Sequence, residues 1–206
     1  MTQANNQTII RPFRDENLVL ASRNQGKLIE LQNFLRPYYV EVIPVTRFDL
    51  PEIPETETSF QGNAKLKALT IAKATAMPSL ADDSGICIHA LNGNPGVYSA
   101  DWAGENKDFS VAINRVLTEL NGKKDRKADV VCVLALAWPD GHVEFVEGKI
   151  TCDIAEEPRG TNGFGYDAIL IPAGSDLTFG EMDPEEKQKI SHRAIAMRQL
   201  VRTYFS

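Results

Sequence analysis

The 206-residue chain carries 28 acidic and 22 basic side chains, which gives a formal net charge of -6, and 43% of its residues are hydrophobic. This size and composition suit one large domain, or one domain with two lobes, built around a substantial core. The negative charge argues against a general nucleic-acid binder, and no apolar run reaches the ~18 residues of a membrane span.

The start of the chain differs in character from the rest. Residues 1–17 are polar and mixed, without the pattern of a secretory signal. We therefore expect a flexible N-terminal tail at 1–17, a single domain at 18–206, and a cytoplasmic protein.

The first strand, loop and helix of the predicted domain have the order of an anion-binding site. Residues 18–21 predict a strand, residues 22–27 a loop with one glycine, and residues 28–35 a helix that Pro37 ends. Free amides of such a loop and helix start face an anion. The loop lacks the first glycine and the final Ser or Thr of a Walker A motif. Lys27 is compatible with an ordinary surface lysine, although a cation at a helix start opposes the helix dipole.

A loop and a helix follow that contain further charged candidates. The loop at 48–59 is rich in Pro, Glu and Thr and contains Glu55. In the helix predicted at 59–76, Asn63 and Lys67 are four residues apart and share a face that is distinct from the apolar one. Without further context, Glu55 and Lys67 are each more readily explained as solvated surface residues.

Two adjacent carboxylates, Asp82 and Asp83, stand between apolar runs. Ser84 and Gly85 follow them in the pattern of a tight turn, so we expect the acids at a strand end where a cleft opens. Two close carboxylates raise the cost of ionising each other, which a cation or a shared proton relieves. The pair suits a divalent-metal site and a general base, but an isolated pair of this kind is more often a solvated turn.

The remaining strands are predicted at 39–45, 130–138, 143–150 and 168–171. The run at 130–138 is continuously apolar, which is typical of a central strand buried on both faces. An amphipathic helix is predicted at 109–120.

The C-terminal part begins with a glycine-rich loop at 160–167 that contains two aromatic residues. Asp183 and Pro184 are typical of a helix start, and Lys187 is expected to end that short helix.

The last helix is predicted at 194–204, with Ser191 as its cap and with His192 and Arg193 in its first turn. Cations oppose the helix dipole there by roughly 0.3–1 kcal/mol each. An anion bound between them would explain their presence better than the alternative, that both are surface residues without a specific role.

Five motifs occur in this order: Ser22 to Lys27, Ala81-Asp82-Asp83-Ser84-Gly85, Pro95-Gly96-Val97-Tyr98-Ser99-Ala100, Gly163-Phe164-Gly165-Tyr166-Asp167, and Glu186-Lys187 with Ser191-His192-Arg193. Together they closely resemble the inosine triphosphate pyrophosphatase family, the dITP/XTP pyrophosphatases. The resemblance extends from Leu18 to the C-terminus.

This resemblance implies an α/β fold in which a long mixed twisted sheet with flanking helices forms two lobes around a central cleft. It also implies a homodimer. The expectation of no nucleic-acid and no membrane partner rests instead on the net charge and on the lack of a long apolar run. The implied activity is Mg²⁺-dependent hydrolysis of dITP, ITP and XTP at the α-phosphate. The products would be the monophosphate and pyrophosphate, so that the nucleotide pool is cleansed of deaminated purines.

The resemblance also assigns roles to individual positions. Asp83 would be the general base and, with Glu55, a metal ligand, and Asp82 would stand beside it as a second catalytic residue. The remaining positions would bind substrate, either its phosphates or its base: Ser22, Arg23, Asn24, Gln25, Gly26, Lys27, Lys67, Ser84, Phe164, Gly165, Tyr166, Asp167, Lys187, His192 and Arg193.

The chain departs from the family pattern at four positions. It has Asp101 where the family has Arg, Ala168 where it has Pro, Gly62 where it has Glu, and Ser22 where it has Thr. None of these differences removes a residue with an assigned chemical role, and Asp101 bears on the contacts around Trp102 and on the dimer surface.

Two other functions are compatible with parts of the sequence. An aspartyl-phosphate hydrolase would use Asp82 or Asp83 as a nucleophile, but such enzymes show an Asp-x-Asp pattern that this chain lacks. A non-catalytic purine nucleotide sensor would bind ITP without releasing pyrophosphate, and the retention of Asp83, Glu55 and both lysines argues against it.

Overall fold

The computed structural model describes residues 10–205, which fold into a six-stranded sheet with helices on both faces. Its strands are β1 (Asn17–Leu20), β2 (Glu41–Pro44), β3 (Ser79–Ile88), β4 (Lys127–Ala137), β5 (Val143–Ile154) and β6 (Leu170–Pro172). Its α-helices are α1 (Gln25–Leu35), α2 (Phe60–Thr75), α3 (Phe109–Glu119), α4 (Pro184–Ile190) and α5 (His192–Tyr204). Within residues 10–205, no helix combines the length and the apolar character that crossing a membrane requires.

The sheet is mixed, with the strand order β2-β1-β3-β4-β5-β6. β1 pairs in parallel with both β2 and β3, whereas the pairs from β3 to β6 are antiparallel. The three longest strands, β3, β4 and β5, form its middle. β4 is buried along most of its length, as its continuous apolar run predicts.

One face of the sheet carries two separate apolar cores. Successive side chains of a strand point to opposite faces, so Leu80, Asp82, Ser84 and Ile86 of β3 share one face. Leu80 belongs to the core formed with α1 and α5, and Ile86 to the core formed with α3. Asp82 and Ser84 therefore lie between two lobes. This arrangement confirms the predicted α/β fold with a cleft between lobes.

Helix α2 covers the opposite face of the sheet. Ala64 and Ala68 of the helix pack against Ala81 of β3 and Val133 of β4. Because these side chains are small, the helix lies close to the strands. Polar residues on the neighbouring face of α2 therefore reach the middle of β3.

The acidic pair lies in the middle of a strand, and the prediction that it ends a strand is wrong. β3 continues through Ser84 and Gly85 to Ile88. Gly85 serves close packing instead of a turn, because a Cβ atom there would lie 2.4 Å from the carbonyl oxygen of Gly96.

Three helix boundaries also differ from the sequence prediction. α1 begins earlier, so residues 25–27 form its first turn, and Asn24 caps it by accepting a hydrogen bond from the Lys27 N–H group. α4 continues past Lys187 to Ile190, and α5 already begins at His192.

The ordered domain begins before residue 17, earlier than the sequence predicts. Phe13 is buried and stacks on Phe205 with ring centroids 4.6 Å apart. Its N–H group donates a hydrogen bond of 2.6 Å to the carbonyl oxygen of Tyr204. Residues 1–9 of the predicted flexible tail lie outside the described residues.

Candidate active site

Asp83 lies on the face of β3 that α2 covers, and its carboxylate is buried. Its Oδ2 atom accepts a hydrogen bond of 3.1 Å from Nδ2 of Asn63, and its Oδ1 atom lies 3.5 Å from Nζ of Lys67. The same Nζ atom lies 2.5 Å from Oε1 of Glu55. The four-residue spacing of Asn63 and Lys67 directs both side chains to Asp83. The structure thus brings together the two predicted metal ligands and one predicted substrate-binding lysine.

Burial raises the pKa of Asp83 from 3.8 to about 6. The positive charge of Lys67 opposes this rise, while the negative charge of Glu55 adds to it and the hydrogen bond from Asn63 lowers the pKa again. A carboxylate that gains and loses its proton near neutral pH is suited to accept a proton from water.

Lys67 remains charged although it is largely buried. Burial alone would lower its pKa, but the carboxylates of Asp82, Asp83 and Glu55 outweigh this effect and raise it. The ammonium group therefore neutralises the surrounding acids in the free protein.

Asp82 lies on the other face of the sheet, in the cleft between the lobes, and is also buried. Its Oδ1 atom lies 2.8 Å from Nζ of Lys27, and its Oδ2 atom lies 3.3 Å from Nη2 of Arg193. The Ser84 hydroxyl also donates a hydrogen bond of 3.2 Å to Oδ2. Burial alone would raise the pKa of Asp82, but the charges of Lys27 and Arg193 hold it well below its usual range.

The two acids form ion pairs with different cations on opposite faces of the sheet, although the charge of Lys67 acts on both. Asp82 is held by Lys27 and Arg193, and Asp83 by Lys67. A cation beside each acid thus offsets the repulsion that a cation or a shared proton was expected to relieve. Asp82 binds the cations of the cleft, whereas Asp83 has the environment of a base.

The predicted phosphate loop is a short connection from β1 to the first turn of α1. The hydroxyl of Ser22 accepts a hydrogen bond of 3.2 Å from the Asn24 N–H group, and Arg23 donates one of 2.6 Å to the carbonyl oxygen of Leu50. These bonds shape a solvent-accessible helix start that aims Lys27 at Asp82. Two further predicted substrate-binding residues of this turn are exposed: Gln25 and Gly26.

Phe164 is the exposed aromatic side chain of the glycine-rich loop. Its N–H group donates a hydrogen bond of 2.7 Å to Oδ2 of Asp167, which also forms an ion pair with Lys187. Nζ of Lys187 lies 5.0 Å from the centre of the Phe164 ring, and Cζ of Arg193 lies 5.5 Å from it. The ring therefore lies beside two cations, and 45% of the residue is exposed to solvent.

The neighbouring Tyr166 supports the loop from behind and offers little surface to a ligand. It is buried, its hydroxyl donates a hydrogen bond of 2.7 Å to the carbonyl oxygen of Ser99, and its ring packs against the edge of Phe109. The backbone of Gly165 has φ +67°, a conformation that favours glycine, and this places Phe164 and Tyr166 on different sides of the loop. Tyr166 thus contributes through the position of the loop.

His192 and Arg193 have different environments, although both lie in the first turn of α5. Burial and the charges of Arg193 and Lys187 lower the pKa of His192 to about 3, so its ring is neutral. Its buried Nδ1 atom has no hydrogen-bond partner within residues 10–205. Arg193 pairs with Asp82, so the anion that the helix-dipole argument predicted at this position is the protein's own carboxylate.

Asp83 and Glu55 fit a hard divalent cation. Oxygen atoms of both carboxylates lie within 3.5 Å of one point, the Nζ atom of Lys67. Among the described residues no group of three or more His, Cys, Asp or Glu side chains is arranged to hold a metal ion. Two carboxylates can serve as the protein ligands of a hard divalent cation that keeps several waters and takes its remaining ligands from a substrate phosphate.

Sequence reasoning assigned no role to two residues that hold this site together. Asn63 binds Asp83, and only its spacing from Lys67 on one helix face pointed to it. Ser99 accepts a hydrogen bond of 2.9 Å from the Ile86 N–H group and, through its carbonyl oxygen, one from Tyr166. Its position in the motif from Pro95 to Ala100 was the available signal.

Comparisons with known proteins agree over nearly the whole chain. A model of the Ham1 family matches residues 18–203. The chain is 49% identical over 202 residues to a dITP/XTP pyrophosphatase of Rhodospirillum centenum, covering 97% of this chain and 100% of the relative. It is 44% identical over 204 residues to a dITP/XTP pyrophosphatase of Zymomonas mobilis, covering 98% of both chains.

Solved structures of related proteins have the same fold as this chain. A HAM1 protein from Coxiella burnetii superposes with a TM-score of 0.85 at 44% identity, covering 90% of this chain and 96% of the other. A nucleoside-triphosphatase / dITP/XTP pyrophosphatase from Mycobacterium abscessus superposes with a TM-score of 0.76 at 40% identity, covering 90% and 98%.

Proposed function

The chain belongs to the Ham1 family, and we propose from this premise which of its residues hydrolyse noncanonical purine nucleoside triphosphates. It is a nucleoside-triphosphate diphosphatase, with dITP, ITP and XTP as the proposed substrates. One observation carries the assignment of residues: Lys27, Lys67 and Arg193, from three different helices, converge on the consecutive residues Asp82 and Asp83.

The triphosphate is proposed to replace carboxylates as the partner of the cleft lysines. In the free protein Lys27 pairs with Asp82, and Lys187 pairs with Asp167. A polyanion entering the cleft offers both lysines a stronger partner, and the start of α1 adds free amides. Arg193 keeps Asp82 neutralised when Lys27 turns to a phosphate.

Hydrolysis to a monophosphate and pyrophosphate requires attack of water on the α-phosphorus. For Asp83 to accept a proton from this water, the α-phosphate must extend from the cleft on the Asp82 side of β3 to the side that α2 covers. The water oxygen then bonds to phosphorus as the bond to the bridging oxygen breaks, so that pyrophosphate leaves. Lys67, beside Asp83, stabilises the charge that develops on the phosphoryl oxygens. The family is generally metal-dependent, and we assign Mg²⁺ to Asp83 and Glu55, where it would neutralise phosphate charge and lower the pKa of a bound water.

The base is proposed to stack on Phe164, with the edge of the purine facing the start of α5. A neutral histidine offers one donor and one acceptor. The unpartnered Nδ1 atom of His192 is buried in the free protein, and it would form one such bond where the bound base uncovers it. A 6-oxo purine presents O6 as an acceptor and N1–H as a donor. Adenine presents the opposite pattern, which would leave buried groups unpaired at ~1–3 kcal/mol each.

Three further expectations remain proposals: a homodimer from the family resemblance, and, from the sequence itself, a cytoplasmic location and the absence of nucleic-acid and membrane partners.

The test of the function is a pyrophosphate-release assay in H₂¹⁸O with Mg²⁺, using ITP, dITP, XTP, GTP and ATP as separate substrates. We expect rapid release from the first three, with the ¹⁸O label in the monophosphate, because water attacks the α-phosphorus. Label in pyrophosphate or in orthophosphate would place the attack elsewhere and contradict the proposed role of Asp83. Binding of ITP without any pyrophosphate release would indicate a nucleotide sensor.

A further inference from the structure

Asn63 binds Asp83, one of the two acids assigned to the metal, and the backbone of the loop that carries the other acid, Glu55. It lies in the first turn of α2 and is 1% exposed. Its Nδ2 atom donates a hydrogen bond of 3.1 Å to Oδ2 of Asp83, and its Oδ1 atom accepts one of 2.9 Å from the backbone N–H group of Glu57. One buried amide thus binds both the strand that carries Asp83 and the loop segment that carries Glu55.

The loop that carries Glu55 is joined to α2 through this contact. It lies in an irregular loop, its side chain is 39% exposed, and its recorded side-chain contact is with Lys67. The hydrogen bond to Glu57, two residues later, holds the backbone of that loop against the start of α2. A Cβ atom at Gly62 would lie 2.7 Å from Cβ of Glu57, so the loop already touches the helix closely.

Resting on the proposed function, we propose that Asn63 is a positioning residue that holds Glu55 and Asp83 at the separation at which they bind one divalent cation. Both ends of its amide are satisfied, so its burial costs little, and loss of either bond would leave a buried polar group unpaired. Groups that orient metal ligands commonly change metal affinity by 10–100-fold when they are removed.

The experiment measures Mn²⁺ binding by electron paramagnetic resonance, with no nucleotide present, for the wild-type protein and for Asn63→Leu and Asn63→Ala. Leucine has a similar volume without donor or acceptor, and alanine avoids a clash if leucine does not fit. We expect the Kd for Mn²⁺ to rise roughly 10–100-fold in both variants. In the variants, the Mg²⁺ concentration for half-maximal pyrophosphate release should rise by the same factor relative to the wild type, with a smaller change in KM for ITP.

Ser59→Ala is the matched control, because Ser59 caps the same helix and touches neither Asp83 nor Glu55 among the contacts of the described residues. It should lower the Tm and leave the Kd for Mn²⁺ within about twofold, well below the change expected of a ligand-orienting group.

Four results would overturn the proposal: unchanged Mn²⁺ affinity in a folded Asn63 variant, an equal loss of affinity in Ser59→Ala, no measurable Mn²⁺ binding by the wild type, or failure of both Asn63 variants to fold, as judged by circular dichroism. A wild-type protein that hydrolyses no purine triphosphate would contradict the proposed function instead, and the Mn²⁺ comparison would still report on Asn63.

Discussion

The ammonium nitrogen of Lys67 lies 3.5 Å from the carboxylate of Asp83, and the same nitrogen lies 2.5 Å from Glu55. One positive charge therefore separates two acids that would otherwise repel each other. A divalent cation at this point would take over that task and free Lys67 for a phosphate. A bound metal ion would then replace the ammonium group of Lys67 as the cation between the two acids.

Replacing Asp83 by Asn should lower kcat by roughly 10²–10⁴-fold, because an amide cannot accept the proton of the attacking water and is a poor metal ligand. The fold should be retained, since asparagine has the same shape and can still accept the hydrogen bond from Asn63. Asp129→Asn is the control, because Asp129 is an acid of β4 that pairs with Lys149, outside the proposed site. Pyrophosphate release is measured for both variants, and retention of more than about a tenth of kcat in Asp83→Asn would exclude the general-base role.

Asp83 should also make the stability of the metal-free protein depend on pH. Its pKa is raised from 3.8 to about 6 by folding, so the folded state binds more protons at this group between these values. The stabilisation from this group is complete below about pH 4 and is lost as the pH rises through about 6. The charged groups that act on its pKa are Lys67 and Glu55 on the same side of the sheet, and Asp82 on the other side.

Asp83→Asn removes this dependence, so the variant should gain stability relative to the wild type as the pH rises from about 4 to about 7. The rise in pKa from 3.8 to about 6 corresponds to a gain of at most ~3 kcal/mol. Urea unfolding in EDTA at several pH values measures the free energy of unfolding of both proteins. The contributions of the other titrating groups cancel when one value is subtracted from the other. A difference that stays constant over this range would show that Asp83 titrates at its ordinary pKa.

Elements with a strong pattern were predictable from the sequence, whereas β3 was not. The continuous apolar run of β4 and the capped start of α4 at Asp183 identified these elements, because local residues decide them. Gly85 carries an ambiguous signal, since glycine permits both a turn and the close approach of another chain segment. The second applies here, and Gly96, which approaches it, is distant enough in sequence that no local pattern reveals the contact.

The cations of the site were predictable, but their partners were not. Lys27 and Arg193 were identified because each lies at a helix start, where the dipole disfavours a cation. Their common partner, Asp82, is 55 residues from the first and 111 from the second. For this reason the helix-dipole argument assigned both cations to a bound ligand instead of to Asp82. The role of Asn63 could not be predicted either, because it rests on contacts with residues that are distant in the sequence.

Phe164→Ala should weaken the binding of ITP, dITP and XTP to a similar degree, because stacking uses the face of the base and not its edge. Stacking on an aromatic ring contributes ~1–3 kcal/mol, which corresponds to a rise in KM of roughly 5- to 150-fold. Leu177→Ala is the matched control, because Leu177 is a similarly exposed apolar residue, at 49% against 45%, outside the proposed site. Steady-state kinetics with the three substrates test this prediction, and a loss confined to one base would show that Phe164 recognises the edge.

The ion pair of Arg193 with Asp82 leads to the last prediction, which reverses the one that the helix dipole suggests. A dipole that disfavours Arg193 would make Arg193→Gln neutral or stabilising in the free protein. In the structure, however, the guanidinium is buried and lies 3.3 Å from Asp82, so its removal leaves this buried carboxylate with Lys27 and the Ser84 hydroxyl as partners. Arg193→Gln should therefore lower the free energy of unfolding by about 3 kcal/mol.

Asp82→Asn should be destabilising for the complementary reason, because it leaves Arg193 buried without its main partner. The double variant removes both charges together, so its loss should be smaller than the sum of the two single losses by about 1–3 kcal/mol. Urea unfolding of the four metal-free proteins gives this coupling energy directly. Additive losses would mean that the pair contributes nothing to stability, and Arg193 would then be retained for substrate alone, as the helix-dipole argument holds.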